Sequence, residues 1–166
     1  MNLILTGVAG SGKTTIGRKL AAALGGAWRF ADADDFHPRA NVAKMSRGVP
    51  LDDADRWPWL DALRDHLDAC AARGESVVLA CSALKDSYRR RLATARAPVR
   101  FIFLRGDAAT FRARLRSRPD HYMKADLLDS QFAALEEPRP DTALIIEATL
   151  APDEIVARIT TALGAP

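Results

Sequence analysis

The sequence predicts a three-layer α/β fold, in which a five-stranded parallel sheet lies between helices on both of its faces. Short apolar runs alternate with segments of helical period along the chain, and no internal repeat or low-complexity stretch interrupts them. The run SVVLAC at residues 76–81 is apolar enough for a central strand that is covered on both faces. In open parallel sheets, ligands bind beyond the carboxyl ends of the strands, so the residues after the first three strands are expected to carry the function.

The first half of the chain is predicted from four local patterns. An apolar strand at residues 2–6 leads into a helix at residues 13–24, which carries an apolar stripe at helical spacing and ends at a glycine. A short strand follows at residues 28–31. The stretch from there to residue 59 loses its period, is rich in acids and prolines, and contains one helical piece at residues 39–46. Long irregular stretches of this kind in compact domains are usually functional.

The second half repeats helix and strand, with continuous apolar runs marking the strands and a period of 3.6 marking the helices. The strands predicted there are 76–81, 99–104 and 143–146, and the helices are 59–73, 86–95, 108–118, 124–135 and 152–163.

Length and composition indicate one ordinary globular domain, residues 1–166. Hydrophobic residues make up 48% of the chain, and no apolar run approaches the ~20 residues that cross a bilayer. The N-terminus shows no basic segment, apolar stretch and cleavage site of a secretory signal, so a cytoplasmic protein without membrane association is expected. Cys70 and Cys81 have no metal-type spacing and are expected to be buried and reduced.

Residues 7–15, GVAGSGKTT, have the pattern of a phosphate-binding loop between a strand and a helix, and they are named the phosphate loop. Its glycines let successive backbone N–H groups turn inward, and the positive end of the following helix attracts an anion. Lys13 is expected to reach the β and γ phosphates of a nucleoside triphosphate such as ATP, and the Thr14 hydroxyl to bind Mg²⁺. A glycine-rich turn that binds nothing is the alternative. The predicted nucleotide-binding residues of the loop are Gly7, Val8, Ala9, Gly10, Ser11, Gly12, Lys13, Thr14 and Thr15.

Carboxylates follow the second strand, at the same sheet edge as the phosphate loop. Alternation in an extended segment places Asp32 and Asp34 on one side and Asp35 on the other. One of the paired acids is expected to hold Mg²⁺ through water and the other to accept a hydroxyl proton. Acids that only cap a helix or solvate a loop are the alternative. His37 is equally consistent with a substrate contact and with an ordinary loop histidine.

Cations follow at two further points of the same edge. Arg56 lies beside two tryptophans, and its planar fork suits the carboxylate of an acidic, hydroxylated acceptor, although a surface arginine against aromatic packing fits equally well. After the third strand come Ser82 and Lys85, with Arg89 one turn later. Because cations normally prefer the other end of a helix, Lys85 at a helix start mildly favours a ligand.

The helix at residues 108–118 carries four arginines, which helical geometry separates. Arg114 and Arg118 flank the apolar face and are predicted to approach the nucleotide, whereas Arg112 and Arg116 point away from it. The sequence PDHYM then interrupts the helices, as a mobile flap over the triphosphate would at about residues 114–124.

Together these segments resemble the gluconokinase family of small P-loop kinases. The matching pieces run in order from residue 7 to residue 138, and the most specific are HP, NxxKM, GxPLxDxDRxPWL and CSALKxxYR. The sequence departs from the family pattern at Pro119 and Asp120, where a glycine commonly precedes the histidine, and at Glu147, where an aspartate-containing pattern is usual.

The resemblance implies a three-layer P-loop kinase fold in a homodimer that transfers the γ phosphate of ATP to the 6-hydroxyl of D-gluconate with Mg²⁺. It implies Asp34 as the base for that hydroxyl, Asp32 as an acid of the Mg²⁺ water shell, and residues 32–60 as the substrate-binding segment. The implied gluconate contacts are Lys44, Arg56, Ser82 and Lys85, with His37, Arg89 and His121 as further candidates, and the implied flap arginines are Arg114 and Arg118.

Three other functions remain open from the sequence. A kinase of the same architecture could act on another small hydroxy acid, such as shikimate, or on a nucleotide. A nucleotide-dependent switch is a second possibility, but the sequence lacks the NKxD and DxxG motifs of GTPases. A nucleic-acid kinase is disfavoured because 24 basic residues are nearly balanced by 21 acids, for a net charge of +3.

Overall fold

The computed structural model describes residues 1–117 and 126–164 of the chain. The strands are β1 (Asn2–Thr6), β2 (Trp28–Asp32), β3 (Ser76–Ala80), β4 (Val99–Arg105) and β5 (Ala143–Glu147). The helices are α1 (Lys13–Leu24), α2 (Arg39–Ser46), α3 (Asp53–Ala72), α4 (Asp86–Leu92), α5 (Ala108–Arg116), α6 (Asp126–Ala134) and α7 (Pro152–Leu163), and a 3-10 helix spans Ala33–Phe36.

The five strands form one parallel sheet in the order β2-β3-β1-β4-β5, which confirms the predicted fold class. β1 is central, and the chain moves first to one side of it and then to the other. The carboxyl end of β1 is therefore the point where the strand order reverses, and a crevice opens there. The phosphate loop begins at that point.

The core has one layer on each face of the sheet. Alternation along β1 sends Leu3 and Leu5 toward the layer that contains α1, α5 and α7, and sends Ile4 toward the layer that contains α3 and α4. All of β1 is buried, as expected for a strand covered on both faces. The phosphate loop follows directly after this buried strand, which fixes where the loop begins.

Most element boundaries lie within three residues of the predictions, but α3 begins six residues earlier than predicted. The reason is a capping box, in which Asp52 Oδ1 accepts from the N–H of Asp55 (2.9 Å) and Asp55 Oδ2 accepts from the N–H of Asp52 (3.1 Å). Pro58 lies inside the helix, near its start, where it removes a single backbone hydrogen bond. The apolar packing of the following turns outweighs that loss.

The two cysteines are buried and free, as predicted. None of the helices within residues 1–117 and 126–164 has the length and apolar character needed to cross a membrane.

Candidate active site

The phosphate loop owes its shape to glycines in a backbone region that other residues rarely adopt. Gly7, Gly10 and Gly12 have φ values of 140°, 81° and 97°. A Cβ at Gly10 would lie 2.8 Å from the carbonyl oxygen of Phe111 in α5, so the loop also packs too closely for a side chain. This backbone can turn its N–H groups toward an anion.

The charge of the phosphate loop is concentrated where phosphates are expected. Lys13 Nζ donates to the carbonyl oxygens of Gly7 (2.9 Å) and Val8 (3.0 Å), which holds its ammonium group over the loop. Gly12 is the N-cap of α1 and has no side chain with which to cap it, so the positive end of the helix faces the same space. The loop thus fits a triphosphate.

A hydrogen bond links the phosphate loop to the end of β2. The Thr14 hydroxyl donates to Asp32 Oδ2 at 2.9 Å, while Asp32 Oδ1 accepts from the N–H of Asp34 at 3.2 Å. Within residues 1–117 and 126–164, no group of three or more His, Cys, Asp or Glu side chains could hold a metal ion. Mg²⁺ needs no such cage, because it binds through one or two protein oxygens together with phosphates and water, so this pair fits it.

The predicted alternation of Asp32, Asp34 and Asp35 is wrong, because Asp34 and Asp35 lie in the 3-10 helix and not in an extended segment. Asp32 is instead the N-cap of that helix. The 3-10 helix is anchored by the buried Trp59, whose Nε1 donates to the carbonyl oxygen of Ala33 at 2.7 Å. This anchor leaves Asp34 exposed beside the crevice.

His37 is held against Trp59 in the substrate-binding segment. The two rings stack at 4.4 Å between centroids. Asn41 Nδ2 donates to the backbone carbonyl of Asp55 (2.9 Å) and lies 3.4 Å from His37 Nδ1. Burial lowers the pKa of His37 from 6.5, while Asp34 raises it and Arg56 lowers it. The ring is therefore neutral at neutral pH and can donate or accept a hydrogen bond.

Two of the predicted substrate cations are ion-paired with the first turn of α3. Lys44 Nζ donates to both carboxylate oxygens of Asp55, at 2.7 and 2.6 Å. This hydrogen bond raises the pKa of Lys44 and lowers that of Asp55. Lys85 Nζ donates to Asp53 Oδ1 at 2.7 Å, and the hydroxyl of Tyr88 donates to the same oxygen. Both lysines are thus positioned by carboxylates of one helix end.

Arg56 lines a cavity of about 540 Å³ together with Asp53, Lys85 and Tyr88. Its guanidinium lies over the ring of Tyr88, 5.7 Å from the centroid. In the part of the chain that the structure describes, Arg56 forms no ion pair with a carboxylate, in contrast to the two lysines. Its charge is available to an acidic ligand.

The buried Cys81 shows that the two halves of the site meet at the end of β3. Burial raises the pKa of its thiol to about 12, and charges on Lys13, Asp34 and Arg56 act on it from nearby. The carbonyl oxygen of the next residue, Ser82, accepts from the N–H of Gly7 at 3.3 Å. The structure thus brings the phosphate loop and the predicted acceptor residues together.

Two predicted site arginines have backbone partners. Arg89 is buried, and its guanidinium donates to the carbonyl oxygens of Ala83 (3.0 Å) and Leu84 (2.9 Å), so it supports the loop that carries Ser82 and Lys85. The backbone contacts account for its position, and its role as a substrate contact stays a prediction. Arg114 donates to the carbonyl oxygen of Ala148 at 2.6 Å, after β5.

Three further predictions concern α5 and the flap. Arg112 was predicted to point away from the packed face, yet it reaches Asp129 of α6 at 2.5 Å. Arg116 is exposed, as predicted. Arg118 and His121, with most of the predicted flap, lie outside the described residues.

Sequence reasoning missed the residues that position the lysines and His37, namely Asp53, Asp55 and Asn41. The spacing of Asp52 and Asp55 is a capping-box signal that could have revealed the helix start and hence the place of Asp53. Asn41 belongs to the NxxKM motif, but that motif does not reveal its contact with the backbone of Asp55, which lies on another helix.

The fold and site define the chain as a P-loop protein of the kinase class, with a carboxylate beside the threonine of its phosphate loop. Residues 3–138 match a family model described as an AAA domain. The thermosensitive gluconokinase of Escherichia coli strain K12 is 46% identical over 145 residues, which cover 87% of this chain and 76% of that protein.

Solved structures agree with this assignment. A sugar kinase from Janibacter sp. HTCC2649 matches with a TM-score of 0.90 and 41% identity, covering 98% of this chain and 94% of that one. A gluconokinase from Sinorhizobium meliloti 1021 matches with a TM-score of 0.83 and 37% identity, covering the same shares of the two chains, 98% and 94%. The chain belongs to the gluconokinase family.

Proposed function

We propose that the protein is an ATP-dependent kinase that phosphorylates the 6-hydroxyl group of D-gluconate. The observation that carries the proposal is the hydrogen bond from Thr14 to Asp32, which joins the phosphate loop to the substrate-binding segment at 2.9 Å. The choice of substrate is supported by the names of the relatives, among them the gluconokinase of Gluconobacter oxydans strain 621H, which is 46% identical over 143 residues.

On the donor side, the phosphate loop binds the triphosphate through its backbone N–H groups and Lys13. Phosphoryl transfer passes through a loose transition state, so positioning and positive charge contribute more than covalent chemistry. Lys13 lies over the loop already and exchanges its carbonyl partners for phosphate oxygens. Arg114 and Arg118 are proposed as further cations near the nucleotide.

Thr14 and Asp32 are the residues proposed to hold Mg²⁺, the first through its hydroxyl and the second through the water shell. Bound Mg²⁺ supplies charge neutralisation at the β and γ phosphate oxygens. The Thr14 hydroxyl donates to Asp32 Oδ2 at 2.9 Å, so the two side chains that would hold the metal lie next to each other.

On the acceptor side, Asp34 is the proposed base. Its carboxylate takes the proton of the 6-hydroxyl as the hydroxyl oxygen bonds to the γ phosphorus and the bond to the bridging oxygen of ADP breaks. His37, stacked on Trp59, is proposed to hydrogen-bond a substrate hydroxyl with its neutral ring.

Arg56 is proposed to bind the carboxylate of gluconate, because a guanidinium matches a carboxylate with two parallel hydrogen bonds. The cavity beside it has room for a six-carbon acid at about 540 Å³. Lys44, Ser82 and Lys85 are proposed to contact substrate hydroxyls, and His121 is a further proposed contact.

A steady-state assay that couples ADP release to NADH oxidation tests the substrate, with gluconate, shikimate and nucleoside monophosphates as acceptors. Turnover is expected with gluconate, and phosphorus NMR of the product should show a phosphomonoester on carbon 6. Turnover with another acceptor and none with gluconate contradicts the proposal. The homodimer implied by the family resemblance stays a prediction, which sedimentation velocity tests.

A further inference from the structure

Helix α6 contacts the phosphate loop through a side chain that the proposed mechanism does not use. Gln131 Oε1 accepts a hydrogen bond from the backbone N–H of Ala9 at 2.7 Å. A backbone N–H can only donate, so this contact also fixes the orientation of the Gln131 amide group. One N–H of the loop is thereby held by a residue that lies 122 positions further along the chain.

The segment that follows α6 contacts the loop between β3 and α4, residues 81–85, which is named the β3–α4 loop. The N–H of Glu136 donates to the carbonyl oxygen of Leu84 at 3.0 Å. Glu136 Oε2 accepts from the N–H of Asp86 at 2.7 Å, at the first turn of α4. Ala134, the last residue of α6, lines the same cavity as Lys85 and Arg56.

The β3–α4 loop depends on such outside support. Ala83 has a φ of 35°, a conformation that is strained for a residue with a Cβ. Lys85, the N-cap residue of α4, makes no side-chain capping bond, so the distant Glu136 carboxylate supplies the acceptor for the first turn. Arg89 also donates to the loop carbonyls of Ala83 and Leu84. Hydrogen bonds with Glu136 and Arg89 together therefore hold the loop in place.

Helix α6, which carries Gln131, is itself packed against α5. Phe132 stacks on Phe111 at 6.3 Å between ring centroids, and Arg112 of α5 pairs with Asp129 of α6 at 2.5 Å. Phe111 is 1% exposed. This packing fixes the place of α6, and with it of Gln131, beside the phosphate loop.

We infer that α6 and the segment that follows it position the phosphate loop and the β3–α4 loop, with Gln131 as the positioning residue for the first and Glu136 for the second. Neither residue touches the reacting atoms. Gln131 acts through the backbone of Ala9, on the ATP side, and Glu136 acts through the backbone that carries Ser82 and Lys85, on the acceptor side. The inference rests on the proposed function for the identity of the acceptor.

The donor half of the inference is the claim that Gln131 positions the phosphate loop. It is tested with Gln131→Met, which keeps the length of the side chain and removes the oxygen acceptor. The Kd for a non-hydrolysable ATP analogue, measured by calorimetry, should rise by about three- to tenfold, the effect of one hydrogen bond. The KM for gluconate should be unchanged, because the hydrogen bond lost in this variant goes to the phosphate loop and not to the β3–α4 loop. An unchanged Kd overturns the donor half.

The acceptor half of the inference is the claim that Glu136 positions the β3–α4 loop. It is tested with Glu136→Ala. Glu136→Gln is the conservative variant, and Glu137→Ala is the matched control at the adjacent glutamate. Glu136→Ala should raise the KM for gluconate by about three- to tenfold and leave the Kd for the ATP analogue unchanged. Glu136→Gln, which keeps an oxygen acceptor, should restore most of the loss. Glu137→Ala should behave as wild type.

A purely structural role predicts a different pattern, in which both variants lower the Tm and reduce the active fraction with both substrate constants unchanged. That pattern overturns the inference even if gluconate is turned over normally. If wild-type protein does not phosphorylate gluconate, but Gln131→Met still weakens binding of the ATP analogue, the proposed function fails and the donor half of the inference stands.

Discussion

The phosphate loop and the proposed substrate-binding segment are shaped by different kinds of contact. The loop uses the backbone of nine consecutive residues, shaped by positive φ at Gly7, Gly10 and Gly12 and placed by the central strand. The segment, residues 32–60, uses side chains whose positions depend on partners: Lys44 on Asp55, and the 3-10 helix on Trp59. Recognition by backbone is local, whereas recognition by side chains is built from tertiary contacts.

The largest effect is expected for Lys13, the cationic side chain of the phosphate loop. Lys13→Ala should lower kcat by at least about 100-fold, or about 2.7 kcal/mol in the barrier, because a positive charge over the transferring phosphoryl group is lost. Single-turnover kinetics measure this, and circular dichroism checks that the fold is retained. A kcat near that of wild type would show that Lys13 does not contribute to phosphoryl transfer.

Asp34→Asn should have a comparable effect from the opposite half of the site. The amide keeps the shape of the side chain but cannot take the hydroxyl proton, so kcat should fall by about 100-fold. The neighbouring Asp35→Asn is the matched control and should retain most of the activity. Equal losses in the two variants would show that charge in this region matters and that a base at Asp34 does not.

Gly10→Ala tests whether the phosphate loop depends on its backbone. The added Cβ would lie 2.8 Å from a carbonyl oxygen at a φ of 81°. The free energy of unfolding should fall by about 2–4 kcal/mol, from the strain of the left-handed region and the overpacking together. Gly26→Ala is the control, because its φ of 56° is also positive but nothing lies within 4 Å of the added Cβ. Urea denaturation should show a smaller loss there, about 1 kcal/mol.

Arg56→Ala tests the proposed recognition of the substrate by a side chain of the substrate-binding segment. Removing a charge-assisted contact to the substrate carboxylate should raise the KM for gluconate by about tenfold or more and change kcat less. Arg64→Ala, on the same helix and ion-paired with Asp61, is the control and should leave the KM unchanged. An acceptor KM that does not respond to Arg56→Ala contradicts its proposed role.

The smallest effect concerns pH and the packing of His37. Burial lowers the pKa of His37 below 6.5, so between that value and the lower folded pKa the unfolded chain binds more protons than the folded one. The free energy of unfolding therefore rises with pH through this window, and the contribution of His37 is lost as the pH falls below 6.5. The slope of this change is less than about 1.4 kcal/mol per pH unit.

Urea denaturation at several pH values, compared between wild type and His37→Gln, isolates this contribution from that of His66, whose pKa burial also lowers. The slope below pH 6.5 should be shallower in the variant. Identical slopes would mean that His37 is not buried in the folded protein.

Local signals were sufficient for the sheet, the phosphate loop and most helices, because apolar period and glycine spacing report directly on backbone conformation. They failed at the acids after β2, where an extended alternation was expected and a 3-10 helix is found. The cause lies elsewhere in the chain, since Trp59 of α3 anchors that helix through the carbonyl oxygen of Ala33. Arg89 stays a predicted substrate contact, and its backbone partners could not be identified from the sequence because they come together only in the folded loop.

The sequence by itself determined the α/β class, the strand that carries the phosphate loop, and the set of acids and cations that follow the strands. Tertiary structure alone decided which of those charges are neutralised by partners and which face a ligand. It paired Lys85 with Asp53 and left Arg56 over Tyr88. The physical reason is range: backbone conformation follows from neighbouring residues, whereas the pairing of charged side chains depends on distances between elements that are far apart in the chain.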